Sequence, residues 1–573
     1  MRSAFLLFLF LSFQSMAQDE PIEPTTAEPI IHQIYRLVDQ RNSASPLFKN
    51  ALHSKDTQIQ KAALLGLGRI GGKEVLDRVV PFLKNKNEVL RQLAALAAGL
   101  SKQKAAAEHL WTALENEKSD LVKKELYLAL GNLGQDQLVS KMLAQLEIEK
   151  SAEIRAAIFQ GLGIAMVFHR DLKDNYHEID FKRLLELFSV GDDNAAVVGL
   201  FLGRLSKIED YLKPQQLLPL TKKKMSPLAE SYLIRLLSKV TANLNSKGQQ
   251  DIKRRILAYA VQKSESKDLA VKLESIKLLG NFLNLPQSLI QLGKFHISSN
   301  PIVAQTALKT IADSELNTPE VIKLLIDQLK SNNASMVVEA MGGLVKRQTK
   351  DEMTWVLNFF AHPTPYVKIK LMRMLNNKTE QDKDSKNNFD NVIKMFSHDP
   401  NKKISAYAKS LLNEQQESDE PAAKSPSYAL ALVAAQKQII LKTTIGEITI
   451  QLSQDAPFTS WHFVNNIKNG YFNGGYFNRV IGDFVAQGGD HIGDGSGSVG
   501  HTIREEINLL PHEPMSVGVA TAGKDTGSSQ FFINTSRNLH LDRNYTIFGK
   551  VIKGQEIVLN LTHGIEILSV EVN

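Results

Sequence analysis

The chain has 573 residues, of which 43% are hydrophobic and 23% charged, and a formal net charge of +7. That length exceeds what one hydrophobic core supports, so two domains, or one domain beside a repeat array, are expected, with the composition of an ordinary globular protein. There is no cysteine, which excludes disulfides, thiolate metal sites and a lipid-carrying cysteine.

Residues 1–17 read as a secretory signal peptide: a basic start at Arg2, an apolar run from Ala4 to Phe13, and small residues at Ser15 and Ala17 ahead of a cleavage point before Gln18. An apolar run of that length is about half of the roughly twenty residues that span a bilayer. The expectation is therefore an exported, soluble mature chain without stable membrane insertion. A bacterial periplasm suits an exported chain that lacks disulfides, and secretion is also compatible.

Residues 28–412 read as an α-helical repeat array. Apolar residues recur at three and four, as in Ala62, Leu65, Ile70 and Val75, Val79, Leu83, and strand-like alternation is absent. Aligning the repeats brings Gly68, Ala98, Gly131 and Gly163 into register, and farther on Gly280, Ala312 and Gly343. One small residue per unit lets stacked helices approach closely. The pattern resembles short HEAT repeats, each a helical hairpin that buries its apolar face by stacking on its neighbours. Ten to twelve pairs are expected, with poor register between about Val167 and Lys267 and an insertion at VFHRDLKDNYHEIDFKRL. The concave face of such an array is expected to take other proteins. Gln438 to Asn573 holds nine Lys and Arg against thirteen Asp and Glu, which leaves +11 for the remainder. No dense basic run with interleaved aromatics accompanies that surplus, so it reads as solvated helix faces and no nucleic-acid partner is expected.

Residues 413–437 form a linker, polar and proline-bearing at first, with an apolar stretch from Tyr428 to Gln436 that suits a short helix. From 438 the period changes to two, with Ile448, Ile450 and Leu452 on one face. Pro457 and Thr459 open a helix that buries Phe463, Val464 and Ile467, and Gly470 stands where a C-terminal cap glycine belongs. Many short strands and few helices follow, which argues for a closed or nearly closed β-barrel.

Within that region FNRVIGDFVAQGGD (Phe477 to Asp490) and SSQFFINT (Ser528 to Thr535) set one arginine and two glutamines among phenylalanines. Together with APFTSWHFVNNIKNGYF, VATAGKDTGSSQFFINT and LDRNYTIFGKV, in that order, they make residues 438–573 resemble a cyclophilin. The resemblance implies an eight-stranded antiparallel barrel with a helix at each end, and peptidyl-prolyl cis/trans isomerisation without a cofactor. It further implies Arg479 as the catalytic residue, Phe484, Phe532 and Leu541 as an apolar cup for the proline ring, and Gln487 as the group that orients the arginine. Ala520 and Thr521 would offer backbone groups to the residue before proline, and Gln530 would line the adjoining subsite. Val485, Thr521, His540 and Tyr545 stand where methionine, asparagine, tryptophan and histidine are common in the family, and the smaller Val485 and polar His540 alter the pocket wall.

The chemistry suits those residue types. Rotation about an X-Pro bond is opposed by amide resonance, with a barrier of roughly 20 kcal/mol. A guanidinium that donates to the proline nitrogen favours the twisted amide, because that nitrogen becomes an acceptor as conjugation is lost. The expected partners are proline-containing client proteins. The competing readings are a protein-interaction scaffold whose cyclophilin-like module is weakly active or inactive, and a polyanion-binding array. A strict two-residue turn at Gly482 and Asp483 would put Gln487 on the opposite face from Arg479 and Phe484, so a bulge or wider turn is required there. The run GGDHIGDGSGSVG lacks the lysine and helix of a phosphate loop, Asp490 and Asp494 lack a calcium-loop pattern, and His491, His501 and His512 lack metal-ligand spacing. All of these read as turn and rim residues.

Overall fold

The computed structural model describes residues 27–168, 180–205, 207–242, 249–347, 356, 358–381, 386–412 and 425–573. The signal peptide, most of the insertion expected after Val167, and linker residues 413–424 lie outside the described residues.

From Glu28 to Leu411 the described chain is helical. Alternate helices stack as an inner row: Glu28–Asp39, Thr57–Ile70, Glu88–Leu100, Asp120–Leu133, Ala152–Phe168, Asp193–Arg204, Pro227–Thr241, Leu269–Leu279, Pro301–Ala312, Ala334–Arg347, Pro365–Gln381 and Lys402–Leu411. Many begin at a cap that the sequence supplies. Asp56, Asn87, Ser119, Asp192, Ser226, Asp268 and Asn300 each accept a hydrogen bond from a backbone N–H of the turn that follows. The weak register in the middle has a local cause. Between Asp193–Arg204 and Pro227–Thr241 the outer helix is broken into single turns, Ile208–Tyr211 and Pro214–Leu217, as prolines end each attempt.

The glycine register is sharper in the structure than in the sequence. A Cβ on Gly68 would lie 2.6 Å from Ala97 Cα, and one on Gly99 would lie 2.8 Å from Ala129 Cα. Gly131 faces Gly161, whereas a Cβ on Gly163 meets nothing within 4 Å among the described residues. Helix contact in that unit therefore belongs to Gly161, one helical turn fraction from the aligned Gly163. Gly68→Ala is expected to destabilise the chain by about 1–3 kcal/mol through forced separation of two helices. Gly163→Ala, by contrast, should be neutral or stabilising by up to about 1 kcal/mol through helix propensity. Thermal unfolding of the two variants checks this, and equal melting temperatures would refute it.

The C-terminal region is one antiparallel sheet of nine strands: β1 Gln438–Thr443, β2 Gly446–Leu452, β3 Gly475–Tyr476, β4 Arg479–Ile481, β5 Val485–Gly488, β6 Ser516–Val519, β7 Phe531–Asn534, β8 Ile547–Lys553 and β9 Glu566–Val572. Their order is β3-β9-β1-β2-β8-β6-β7-β5-β4. The count of nine against the expected eight reflects one interrupted strand. Residues 475–481 pair with β9 at their start and β5 at their end, and so close the barrel. The helix Pro457–Lys468 buries Phe463, Val464 and Ile467 and is followed by Gly470 at φ +70°. Phe463 fills the barrel by stacking on Phe548 at 4.3 Å and Phe472 at 5.8 Å. A second, short helix follows at Gln555–Leu559 and packs on β2.

The inner row of the array lies against the barrel along its whole length. Arg69 donates to Ile507 O at 3.2 Å, Arg543 of the barrel meets Glu125, and Arg235 pairs with Asp483. Farther along, Glu339 takes His563 at 2.9 Å and Tyr407 donates to Asp494 at 2.8 Å. The helix Tyr428–Ala435 joins both parts, with Tyr428 stacked on Tyr35 at 5.7 Å. Several basic residues of the array are thus not the solvated faces expected of them. Arg69, Arg204, Arg235 and Lys277 donate to a barrel that is itself acidic, so part of the charge asymmetry is internal complementarity.

Candidate active site

The site begins with the β4–β5 hairpin. Its register pairs Arg479 with Gln487 and Ile481 with Val485, leaving Gly482, Asp483 and Phe484 as a three-residue turn with Asp483 at φ +59°. This is the wider turn that the face argument required. Arg479 and Gln487 stand directly opposite each other, and Phe484 belongs to the turn itself, its carbonyl accepting from Thr535 N at 3.0 Å and Asn538 Nδ2 at 2.9 Å. The turn carries glycine because it is pressed into the array, where a Cβ on Gly482 would lie 2.6 Å from Leu273 Cδ1.

Val485, Phe532 and Leu541 are buried together, with Phe484, Ala520 and Tyr545 half-buried around them, as an apolar cluster separate from the main core. Phe532 is held by His512, stacked at 6.0 Å, and by the edge of Tyr545 at 5.9 Å. Gly518 lies beneath it, where a Cβ would come within 2.9 Å of Phe532 Cε2. One rim of the cup is polar and arranged in series. Arg479 Nη1 donates to Gln487 Oε1 at 3.2 Å, Gln487 Nε2 donates to Gln530 Oε1 at 2.9 Å, and Gln530 Nε2 donates to the carbonyls of Gly495 and Gly497 at 2.9 and 3.0 Å. The glycine-rich run therefore supplies fixed acceptors. Asp490 holds its shape by accepting from the N–H groups of Ile492 and Gly497.

Arg479 has no carboxylate partner among the described residues. Its guanidinium lies 5.7 Å from the Phe484 ring centroid, and burial lowers its proton affinity with only Tyr545 opposing. Such a group retains donors for a ligand. Ala520 is more restricted than expected, since its N–H is bonded to Gln530 O at 2.9 Å. Of the Ala520 backbone groups that leaves the carbonyl.

The array enters the site through His540. This side chain is only 5% exposed, stacks on Phe484 at 5.7 Å, and its Nε2 accepts from Arg204 Nη2 at 2.9 Å. Burial first, and Arg204 second, push the imidazole well below its ordinary pKa, so it is neutral with its proton on Nδ1. The polar edge of this altered wall is thereby turned to the array and its ring face to the cup. Next to it, Asp542 accepts from Arg537 and from Gln160 Nε2 at 2.7 Å. Although burial opposes ionisation, Arg537 and His512 hold the Asp542 carboxyl well below the usual range. The structure thus brings ten of the eleven expected site residues into one connected set, and Thr521 is placed beside it only as the chain neighbour of Ala520. It adds Gly518, His512, Asn538 and Asp542 from the barrel and Arg204 and Arg235 from the array, which sequence reasoning missed. Only Gly518, a glycine inside a strand, carried a local signal of close approach.

Among the described residues no group of three or more His, Asp or Glu is arranged to hold a metal, and no helix is long and apolar enough to cross a membrane. Residues 438–570 match the family model of cyclophilin type peptidyl-prolyl cis-trans isomerases, and residues 44–131 match that of HEAT repeats. A peptidyl-prolyl cis-trans isomerase of Synechococcus elongatus is 41% identical over 138 residues, which is 24% of this chain and 95% of that protein. Peptidyl-prolyl cis-trans isomerase B of Bacillus subtilis is 43% identical over 111 residues, 19% of this chain and 78% of that one. Peptidyl-prolyl cis-trans isomerase CYP71 of Arabidopsis thaliana is 35% identical over 154 residues, of which the match spans 26% of this chain and 24% of the longer relative. A solved cyclophilin type isomerase of Cryptosporidium parvum aligns at 26% identity and a TM-score of 0.23, over 24% of this chain and 98% of that one.

Proposed function

The chain belongs to the cyclophilin-type peptidyl-prolyl cis-trans isomerases, and from that premise we propose that it isomerises X-Pro bonds of exported proteins at the Arg479 site. The proline ring occupies the cup of Phe484, Val485, Phe532 and Leu541, with His540 and Tyr545 as outer wall. Arg479 donates to the proline nitrogen as the amide twists, and Gln487 holds the guanidinium in place. The carbonyl of Ala520, the backbone of Thr521 and the side chain of Gln530 receive the residues before proline. The observation that carries this reading is a guanidinium without a carboxylate partner among the described residues, beside a separate apolar cluster. A charged donor in that position binds the twisted amide better than either planar form, and each 1.36 kcal/mol of that difference is about tenfold in rate.

The helical array serves as a scaffold for client proteins, and the chain works outside the cytoplasm, in a periplasm or a secreted state. The apolar run at Ala4 to Phe13 supports export. Exchange NMR of an Ala-Pro peptide with the full mature chain tests the activity, with accelerated cis/trans exchange expected. Binding without acceleration would favour the interaction-scaffold reading. N-terminal sequencing of exported protein should begin at Gln18, and an intact Met1 would refute cleavage.

A further inference from the structure

We propose that the cleft between array and barrel is an extended subsite that holds the chain flanking the proline and prefers a flank bearing a carboxylate; this rests on the isomerase reading above. The cleft encloses about 790 Å³ between the array residues around Lys277, Lys309 and Lys370 and the barrel residues Asn478 to Gly482. Arg479 forms part of its wall, so it is continuous with the donor that faces the proline cup. A polypeptide long enough to extend past the reacting bond has this space beside it.

The lining charge is lopsided. Four cations, Lys277, Lys309, Lys370 and Arg479, face two carboxylates, Asp313 and Glu339. Both carboxylates are engaged. Asp313 takes Lys309 at 3.1 Å, and Glu339 takes Lys309 at 3.5 Å and His563 at 2.9 Å. Lys277 is satisfied by Glu274 at 2.7 Å. Lys370 has no ion pair among the described residues; it is half-buried and lies 5.3 Å from the Tyr366 ring centroid. Burial lowers its pKa, with Asp490, Asp494 and Glu339 opposing and Arg373 adding to the fall. Asp490 is already committed to backbone N–H groups, and Asp494 to Tyr407 and Arg373.

The occupant is peptide because the cleft shares the wall that carries Arg479, so what enters it is the chain beside the reacting bond. An Asp or Glu in that flank meets Lys370.

The experiment uses the full mature chain and three fluorescent ten-residue peptides, each with one Ala-Pro, whose flanking positions carry Glu, Gln or Lys. Anisotropy gives Kd and exchange NMR gives turnover. The Glu peptide is expected to bind about five- to tenfold more tightly than the Gln peptide, a ratio that shrinks in high salt. Lys370→Gln should bring that ratio to about one, and Lys370→Glu should invert the order so that the Lys peptide binds best, a reversal that misfolding does not produce. Equal binding of the three peptides by the wild-type chain, or a wild-type ratio retained by Lys370→Gln, overturns the proposal. Loss of turnover on every peptide with the Kd order intact would overturn the isomerase reading and leave the subsite standing.

Discussion

Arg479→Ala is expected to lower kcat/KM for an Ala-Pro peptide by about 10²–10³-fold, the size found when a single preorganised transition-state donor is removed. The loss should fall on kcat more than on KM. The planar amide is held chiefly by the cup of Val485, Phe532 and Leu541, which the substitution leaves in place, while the nitrogen becomes an acceptor only as the bond twists. Stability should change little, since among the described residues the Arg479 guanidinium makes one hydrogen bond, to Gln487 at 3.2 Å, and no ion pair. Arg479→Lys should fall between the two, because an ammonium keeps the charge but loses the rigid fork that Gln487 orients. The variants are compared by protease-coupled assay alongside thermal melts. An alanine variant as fast as wild type would remove Arg479 from the mechanism.

The residues of this site were legible in the sequence because six of the eleven fall in two short motifs, FNRVIGDFVAQGGD and SSQFFINT, and because the family pattern assigns the other five with them. Their geometry was legible only in part. The conflict between Arg479, Phe484 and Gln487 over a two-residue turn showed that the turn had to be wider, but its three residues with Asp483 in the left-handed region follow from contacts with Arg235, Lys277 and Leu273. These lie more than 200 positions away. Helical periodicity gave the array its architecture for the same reason that it hid the interface. A lone Glu125, Gln160, Arg204 or Arg235 on an otherwise regular helix reads as a solvated position, and nothing within its own repeat marks it as facing the barrel. His540 shows the consequence. At its own position it is a departure from the common family residue, and only with Arg204 does it become a neutral ring that stacks on Phe484.

Glu125→Ala should have the largest effect on stability. Arg543 Nε lies 3.0 and 2.9 Å from the two Glu125 oxygens, and its Nη1 reaches the carbonyls of Asn508 and Leu510 at 3.3 Å. Glu125 is 2% exposed and Arg543 7%, so removal of the carboxylate strands a buried guanidinium at a cost of about 3–5 kcal/mol. Replacing both partners, as Glu125→Leu with Arg543→Met, should recover most of that loss, since an apolar pair carries no desolvation penalty. Denaturant unfolding of the single and double variants measures the difference. The catalytic readout follows from position: Arg543 stands at φ +64° two residues after Leu541 and two before Tyr545, so an unpaired Arg543 loosens the outer wall of the cup. Glu125→Ala is therefore expected to raise KM and lower kcat/KM although Glu125 itself belongs to the array, and the double variant to regain stability before it regains rate. If the single and double variants unfold alike, the ion pair is not what seats the barrel. If the single variant is destabilised yet isomerises as quickly as wild type, the array holds the barrel without setting the shape of its cup.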